Sequence, residues 1–126
     1  MKHAPGFLAL VDAAKAAIKE ITIEQYLQED KEGVLIDVRE DREWIAGHLP
    51  GAVHLGKGVI ERDVEALYPD KTTRLVLYCG GGFRSALAAD NLQKMGYTQV
   101  VSLAGGVSGW RQAGHSLVAD EQTKVL

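Results

Sequence analysis

Apolar residues recur along this chain with two different spacings, and each spacing predicts a different kind of element. Near the start the spacing is three or four residues with charged residues between, which predicts an amphipathic helix that covers the core. The apolar positions of this stripe are Phe7, Leu8, Val11, Ala14, Ile18 and Ile21. Thr22 then has the chemistry of an N-cap for a second, short helix.

Four short apolar runs follow, and they predict buried strands over residues 34–38, 53–55, 75–78 and 100–103. Helices are predicted over 40–46, 59–67 and 85–95, with a short one ending near Gly114. Strands that alternate with helices predict an α/β fold, a mainly parallel sheet flanked by helices on both faces. We expect a helical extension over residues 1–20, one domain over 21–114 and a loosely ordered tail over 115–126.

Composition narrows the classes of function. The 126 residues carry a net charge of −3, so no global positive field favours nucleic acid or an anionic membrane, and neither is expected as a partner. Asp12 and Lys15 interrupt the apolar stretch near the N-terminus, and no run approaches the ~18 apolar residues of a membrane span. A single cysteine cannot form an internal disulfide, which favours a reducing, cytoplasmic setting.

Candidate chemistry concentrates where the third predicted strand ends. Cys79, the only cysteine, is followed by six residues that lead into a helix expected to begin near Ser85: Gly80, Gly81, Gly82, Phe83, Arg84 and Ser85. Glycines let successive backbone N–H groups turn toward one point, and the helix end adds positive potential. Because the thiolate is the nucleophilic form of cysteine, this loop predicts an activated nucleophile that also binds an anionic substrate group. The alternative is a structural cysteine on a plain glycine turn.

Two other strand ends are expected at the same edge of the sheet. Asp37 and Arg39 follow the first predicted strand and are candidates for orienting the loop, although an ion pair that holds the strand end is the favoured interpretation. Lys57 follows the second strand and is a candidate for attracting an anionic donor, with a solvated surface charge as its favoured role. The four histidines show no metal-ligand spacing, so no metal is expected; His48 is expected to hydrogen-bond a turn.

Four ordered motifs resemble those of the single-domain rhodaneses, and the likeness spans roughly residues 21–114. The motifs are Asp37-Val38-Arg39, Trp44 to Ala52, Cys79 to Arg84, and Gly105-Gly106 to Trp110. The resemblance implies a central parallel sheet and a two-step sulfur transfer without a cofactor. In that reaction Cys79 takes a sulfane sulfur from thiosulfate or a persulfide donor. The resulting persulfide passes it to cyanide in vitro, or to a thiol or protein acceptor in the cell.

Some features leave alternatives open. Many thiosulfate-using relatives carry a cation directly after the cysteine, where this chain has Gly80. Cysteine-type phosphatases use a Cys-x5-Arg loop, whereas four residues separate Cys79 from Arg84, a tighter cradle that favours a single sulfur atom. A phosphatase or arsenate reductase on a related fold, with Asp37 as a candidate acid, is therefore one alternative. A non-catalytic rhodanese-like binding module is another, and the assembly is either a monomer or a homodimer.

Overall fold

One parallel sheet forms the centre of the computed structural model, which describes residues 3–119. In chain order its strands are β1 (Lys19–Ile21), β2 (Val34–Asp37), β3 (Val53–His54), β4 (Leu75–Tyr78) and β5 (Val100–Leu103). Their spatial order is β1-β5-β4-β2-β3, and each neighbouring pair is parallel. The predicted α/β architecture is therefore confirmed, with β2 and β4 side by side within it.

Helices precede, connect and follow these strands. Within residues 3–119 they are α1 (Pro5–Ala17), α2 (Ile23–Gln25), α3 (Asp41–Ala46), α4 (Ile60–Leu67), α5 (Phe83–Lys94) and α6 (Gly106–Gln112), with a π-helical turn over Tyr26–Asp30. Thr22 caps α2 as predicted, because its hydroxyl accepts the Gln25 N–H at 3.0 Å and the Gln25 side chain accepts the Thr22 N–H at 2.8 Å. No helix of this part of the chain is both long and apolar enough to span a bilayer.

The strand side chains alternate between two buried cores, since successive residues of a strand face opposite sides of the sheet. Leu77 lies in one core with Leu92 of α5. Tyr78, the next residue, lies in the other core with Trp110 of α6. Cys79 returns to the first core. Helices therefore cover both faces of the sheet, and the cysteine lies on the side that α5 covers.

The N-terminal segment departs from the predicted helix. The apolar spacing predicts helix as far as Ile21, but this is wrong: α1 ends at Ala17 and Ile18 is extended, with φ −113° and ψ 173°. Residues 19–21 form β1 instead, and Ile21 lies opposite Leu103 of β5. Pairing with the edge of β5 gives residues 19–21 backbone hydrogen bonds, and this stabilises the strand more than the helical spacing of so short a segment favours a helix. As predicted, α1 covers the core: it packs on α5, and its Val11 and Ala14 are buried.

Residues 115–119, the described part of the predicted tail, contact the domain. His48 and Val118 each donate a backbone N–H to the other's carbonyl oxygen, both at 2.9 Å. The Trp110 indole N–H donates to the Ser116 carbonyl at 2.9 Å. These bonds hold the chain against the turn that follows α3. The rest of that predicted tail, residues 120–126, lies outside the described residues.

Candidate active site

The Cys79 thiol lies in a ring of hydrogen-bond donors at the end of β4. Its residue is buried, and three groups approach Sγ: the Gly82 N–H at 3.1 Å, the Ser85 N–H at 3.4 Å and the Ser85 hydroxyl at 3.5 Å. Backbone N–H groups that converge on one atom favour negative charge there. The arrangement can therefore stabilise a thiolate, or a sulfur anion bonded to it.

The helix after the loop begins earlier than the sequence predicts. Helix α5 begins at Phe83 rather than near Ser85, because Gly82 occupies the N-cap with a left-handed φ of +95°. Only glycine adopts that region without a steric cost, and it turns the chain sharply into the helix. Phe83 and Arg84 thereby enter the first turn of α5, where the free N–H groups of a helix are found.

A second glycine-rich turn holds the loop from behind. At the start of α6, the Val107 N–H donates to the Cys79 carbonyl and the Ser108 N–H donates to the Gly80 carbonyl, both at 2.9 Å. Gly106 has a φ of +52°, and a Cβ on it would overlap the Cys79 carbonyl oxygen. The Gly105-Gly106 motif thus lets two backbones meet closely enough for α6 to fix the cysteine.

Ser102 is a supporting residue that sequence reasoning missed. It lies in β5, is fully buried, and its hydroxyl is 2.8 Å from the Ser85 hydroxyl, which in turn faces Cys79 Sγ. This chain of hydroxyls orients Ser85 toward the sulfur. A lone hydroxyl within the apolar run of residues 100–103 was the available signal.

Arg84 has a partner that the sequence did not reveal. Its guanidinium donates to both carboxylate oxygens of Glu43 in α3, at 2.8 and 3.1 Å. These bonds are the main reason that the pKa of Glu43 falls to about 2 and that the pKa of Arg84 is raised; a Cys79 thiolate adds to the latter shift. A Cβ on Gly80 would lie 3.2 Å from the Arg84 guanidinium, so glycine leaves room for this arginine beside the loop.

Asp37 and Arg39 form a closed network rather than part of the thiol's surroundings. Arg39 donates to the Asp37 carboxylate at 3.1 and 2.8 Å, and the Tyr78 hydroxyl donates to it at 2.7 Å. Burial opposes the charge of Arg39, but its bonds to Asp37 outweigh burial and raise the pKa of Arg39. Burial, reinforced by Asp37, raises the pKa of Tyr78. The network joins β2 to β4, in line with the ion-pair interpretation.

Lys57 lies in a groove next to the loop. This groove has a volume of about 830 Å³ and is lined by segments 38–42 and 54–59 together with Asp63 and Arg84. Lys57 and Arg84 thus share one cavity, whereas Cys79 lines a different one. The structure brings Lys57 to the neighbourhood of the loop but not into the cavity of the thiol.

The cavity at Cys79 is smaller and largely aromatic. It measures about 470 Å³ and is lined by His3, Phe7, Cys79, Gly81, Phe83 and Arg84. The rings of the first two come from the N-terminal segment, and they meet the Phe83 ring of α5 at centroid distances of 4.8 and 6.2 Å. Sequence reasoning assigned this segment to covering the core and gave no signal that it reaches the thiol.

Two histidines make packing contacts near α3. The His48 ring stacks on Trp44 with centroids 3.5 Å apart, and its Nδ1 lies 3.1 Å from the Trp44 carbonyl oxygen, so its backbone partner is a residue of α3 rather than of a turn. His54 Nε2 lies 2.8 Å from the Arg39 carbonyl oxygen. Across residues 3–119, no three His, Cys, Asp or Glu side chains are grouped as metal ligands.

Several known proteins similar in sequence to this chain carry sulfur-transfer names, and others are named only as uncharacterized proteins. A family model, the Rhodanese-like domain, matches residues 22–113. The putative sulfurtransferase YtwF of Bacillus subtilis is 38% identical over 96 residues, which cover 74% of this chain and 90% of that protein. The thiosulfate sulfurtransferase GlpE of Pseudomonas entomophila is 35% identical over 94 residues, covering 74% and 84%. The putative sulfur carrier protein YrkF of Bacillus subtilis is 31% identical, and this chain spans only about half of its length, 52%.

Solved structures with the same fold cover a larger share of this chain than the residues that the family model matches. The polysulfide-sulfur transferase of Wolinella succinogenes is 27% identical with a TM-score of 0.73, covering 92% of this chain and 89% of that one. A protein of unknown function from Rhodopseudomonas palustris, named a possible tyrosine phosphatase, is 29% identical with a TM-score of 0.79 and covers 94% and 98%. Helix α1 precedes the residues that the family model matches.

Proposed function

The chain belongs to the rhodanese-like family, and on that premise we propose that it is a sulfurtransferase in which Cys79 carries the sulfur as a persulfide. The observation that supports this most is the ring of donors around Cys79 Sγ, two backbone N–H groups and one hydroxyl within 3.5 Å. Fixed donors aimed at one atom stabilise a charge that develops there during a reaction. A thiolate and a terminal persulfide anion are the charges that sulfur transfer through a cysteine requires.

In the first step the Cys79 thiolate attacks the sulfane sulfur of the donor. With thiosulfate, the bond between the two donor sulfurs breaks, and its electron pair leaves with sulfite. A persulfide donor instead releases a thiolate. Both leaving groups are stable anions, so the step needs no general acid.

In the second step an acceptor takes the outer sulfur. A thiolate or cyanide attacks that atom, the bond to Cys79 Sγ breaks, and the electron pair returns to Sγ among the same donors. The loop Gly80, Gly81, Gly82, Phe83, Arg84 and Ser85 serves both half-reactions, and neither step requires an electron carrier. We place the reaction in the cytoplasm, where thiols are kept reduced.

The charged residues near the loop have different roles in this proposal. Arg84 places positive charge near the thiol, where Gly80 supplies no cation, and it shares that charge with the Glu43 carboxylate. Asp37 and Arg39 are positioning residues that hold the end of β2 against β4. Lys57 adds positive charge to the neighbouring groove. The thiosulfate and polysulfide named for relatives support testing an inorganic and a persulfide-type donor first.

Intact mass tests the proposal. The reduced protein is incubated with thiosulfate, and separately with a persulfide donor, beside a Cys79→Ser control. We expect a gain of one sulfur atom on the unmodified protein alone, removed by cyanide or by a thiol. If neither donor adds sulfur to Cys79, the proposal is wrong.

A parallel assay addresses the alternatives. Because the similar protein from Rhodopseudomonas palustris is named a possible tyrosine phosphatase, an aryl phosphate is the appropriate second substrate. Hydrolysis that depends on Cys79, without sulfur uptake, would instead assign a phosphatase. Against it, the loop is one residue short and Glu43 occupies the Arg84 guanidinium. No reaction with any of these substrates would assign a binding module.

A further inference from the structure

The aromatic cavity above Cys79 has no role in moving a bare sulfur atom. We propose that it binds the carbon body of an organic thiol, the sulfur acceptor, and that Phe7 of α1 determines the preference for aromatic or otherwise apolar thiols. This inference rests on the proposed sulfurtransferase function and adds the chemical class of the acceptor.

The lining of the cavity combines the reactive Cys79 with apolar side chains. Cys79 and Arg84 lie on its lining together with the rings of His3, Phe7 and Phe83. Its volume of about 470 Å³ is within the range of cavities that hold small organic ligands. Cyanide or an inorganic donor would leave the aromatic rings without a contact, whereas a thiol with a ring or chain would fill the space between them.

The aromatic wall is anchored to the domain. The His3 and Phe7 ring centroids are 5.2 Å apart, and each ring also meets Phe83. Helix α1 packs on α5, and its Val11 and Ala14 are buried. A wall fixed in this way can select a ligand, because its rings do not have to be ordered when the ligand binds.

The transfer to this acceptor needs no reactant other than the acceptor thiolate and the Cys79 persulfide. The thiolate of the acceptor attacks the outer sulfur of the Cys79 persulfide, forming a new sulfur–sulfur bond on the acceptor. The bond from that sulfur to Cys79 Sγ breaks, and Sγ regains the electron pair as a thiolate. The acceptor leaves as an organic persulfide. Stacking of its ring against Phe7 and Phe83 places the attacking sulfur at the base of the cavity.

Single-turnover rates test the inference. The full chain is loaded with persulfide and mixed with phenylmethanethiol, 2-mercaptoethanol or cyanide, each compared at equal concentration of the nucleophilic anion. We expect the aromatic thiol to react faster than 2-mercaptoethanol by roughly tenfold, the scale of one aromatic contact plus the burial of its ring. Phe7→Ala should lower the ratio of the aromatic-thiol rate to the cyanide rate by about threefold to tenfold, mainly by raising the thiol concentration that gives half the maximal rate.

Matched variants separate selection from packing. Leu10→Ala changes the same helix at a residue that is 63% exposed and outside the cavity, so the ratio should not change. Phe7→Leu keeps an apolar side chain and should give an intermediate ratio even if Phe7→Ala fails to fold. Equal loss with all three nucleophiles, or no preference of the unmodified protein for the aromatic thiol, would overturn the inference. Failure to load persulfide at all would instead overturn the proposed function.

Discussion

The neighbouring strands β2 and β4 end at the same edge of the sheet, yet the side chains at their ends have different partners: charged groups at the end of β2 and backbone N–H groups at the end of β4. At the end of β2, the Asp37 carboxylate is fully buried and bonded to Arg39 and Tyr78. At the end of β4, Cys79 is equally buried, but its sulfur faces loop N–H groups and the residue lines a cavity. Tyr78 belongs to the first arrangement and Cys79, the next residue, to the second.

This difference shows that the end of one strand, β4, can contribute both to stability, through Tyr78, and to the candidate chemistry, through Cys79. Because the side chains of a strand alternate, Tyr78 turns to one face and locks β4 to β2, while Cys79 turns to the other face. The Asp37 network has its charges paired within the protein, and it holds the ends of β2 and β4 together. Within residues 3–119, the Gly82 and Ser85 N–H groups are bonded to Cys79 Sγ and to no carboxylate, so they can stabilise the sulfur anions of a reaction. Variants at each end should therefore have separable effects.

The largest effect on stability is expected at the end of β2. Asp37→Ala leaves the Arg39 charge, which is 6% exposed, without its partner. Losing one member of a buried pair costs about 3–5 kcal/mol of unfolding free energy, measured by urea denaturation. The fraction that stays folded should still form the Cys79 persulfide.

A surface ion pair provides the control for this variant. Asp63 pairs with Arg62 at 2.7 Å, and the Arg62 side chain is 73% exposed, so Asp63→Ala should have a far smaller effect than Asp37→Ala. Equal losses from the two variants would show that the Asp37 network does not anchor the strand ends.

The next effect is expected where α6 supports the loop. Gly106→Ala puts a methyl group against the Cys79 carbonyl oxygen at a left-handed φ of +52°, so the turn has to move and the bond from Val107 is lost. We expect a loss of roughly 2–3 kcal/mol in thermal or urea unfolding and slower sulfur transfer by the folded protein.

Gly81→Ala is the matched control within the loop. A Cβ on Gly81 would meet no atom of residues 3–119 within 4 Å, and its φ is outside the left-handed region, so stability should change by less than about 0.5 kcal/mol. If the two alanine variants behave alike, close approach of the backbones is not the reason for glycine at position 106.

The smallest effect is expected at the Arg84–Glu43 pair, which is partly exposed. The bonds from Arg84 lower the pKa of Glu43 from 4.5 to about 2. Because the folded-state pKa lies below the unfolded one, the pair contributes fully above about pH 5 and loses its contribution as the pH falls toward 2. Exposed pairs are worth at most about 1 kcal/mol, so Glu43→Gln should cost less than that at pH 7.

Urea unfolding of both proteins between pH 7 and pH 2.5 checks this expectation. The stability difference between the unmodified protein and Glu43→Gln should be constant down to about pH 5 and should then shrink. A difference that grows on acidification would contradict the sign of the pKa shift. Glu24→Gln, outside every described ion pair of residues 3–119, is the charge-matched control.

Much of the fold could be predicted from local patterns. Four of the five strands within residues 3–119 were expected from apolar runs, and the loop after Cys79 from its three glycines. β1 was missed because three residues carry too little pattern to distinguish a strand from the end of a helix. Glu43 and Ser102 were missed as partners of the loop because their contacts join elements far apart in the chain.

The sequence by itself determined the parallel α/β architecture, the single nucleophile and the glycines that surround it, because periodicity and backbone freedom are local properties. Only the tertiary structure decided that Asp37 turns inward to Tyr78, that Glu43 holds Arg84, and that Phe7 forms a wall of the cavity at Cys79. The first two contacts each join residues 41 positions apart, and the third joins the first helix to the end of β4. A local pattern does not specify which distant residue a side chain contacts. The packing of whole helices and strands against one another decides that contact.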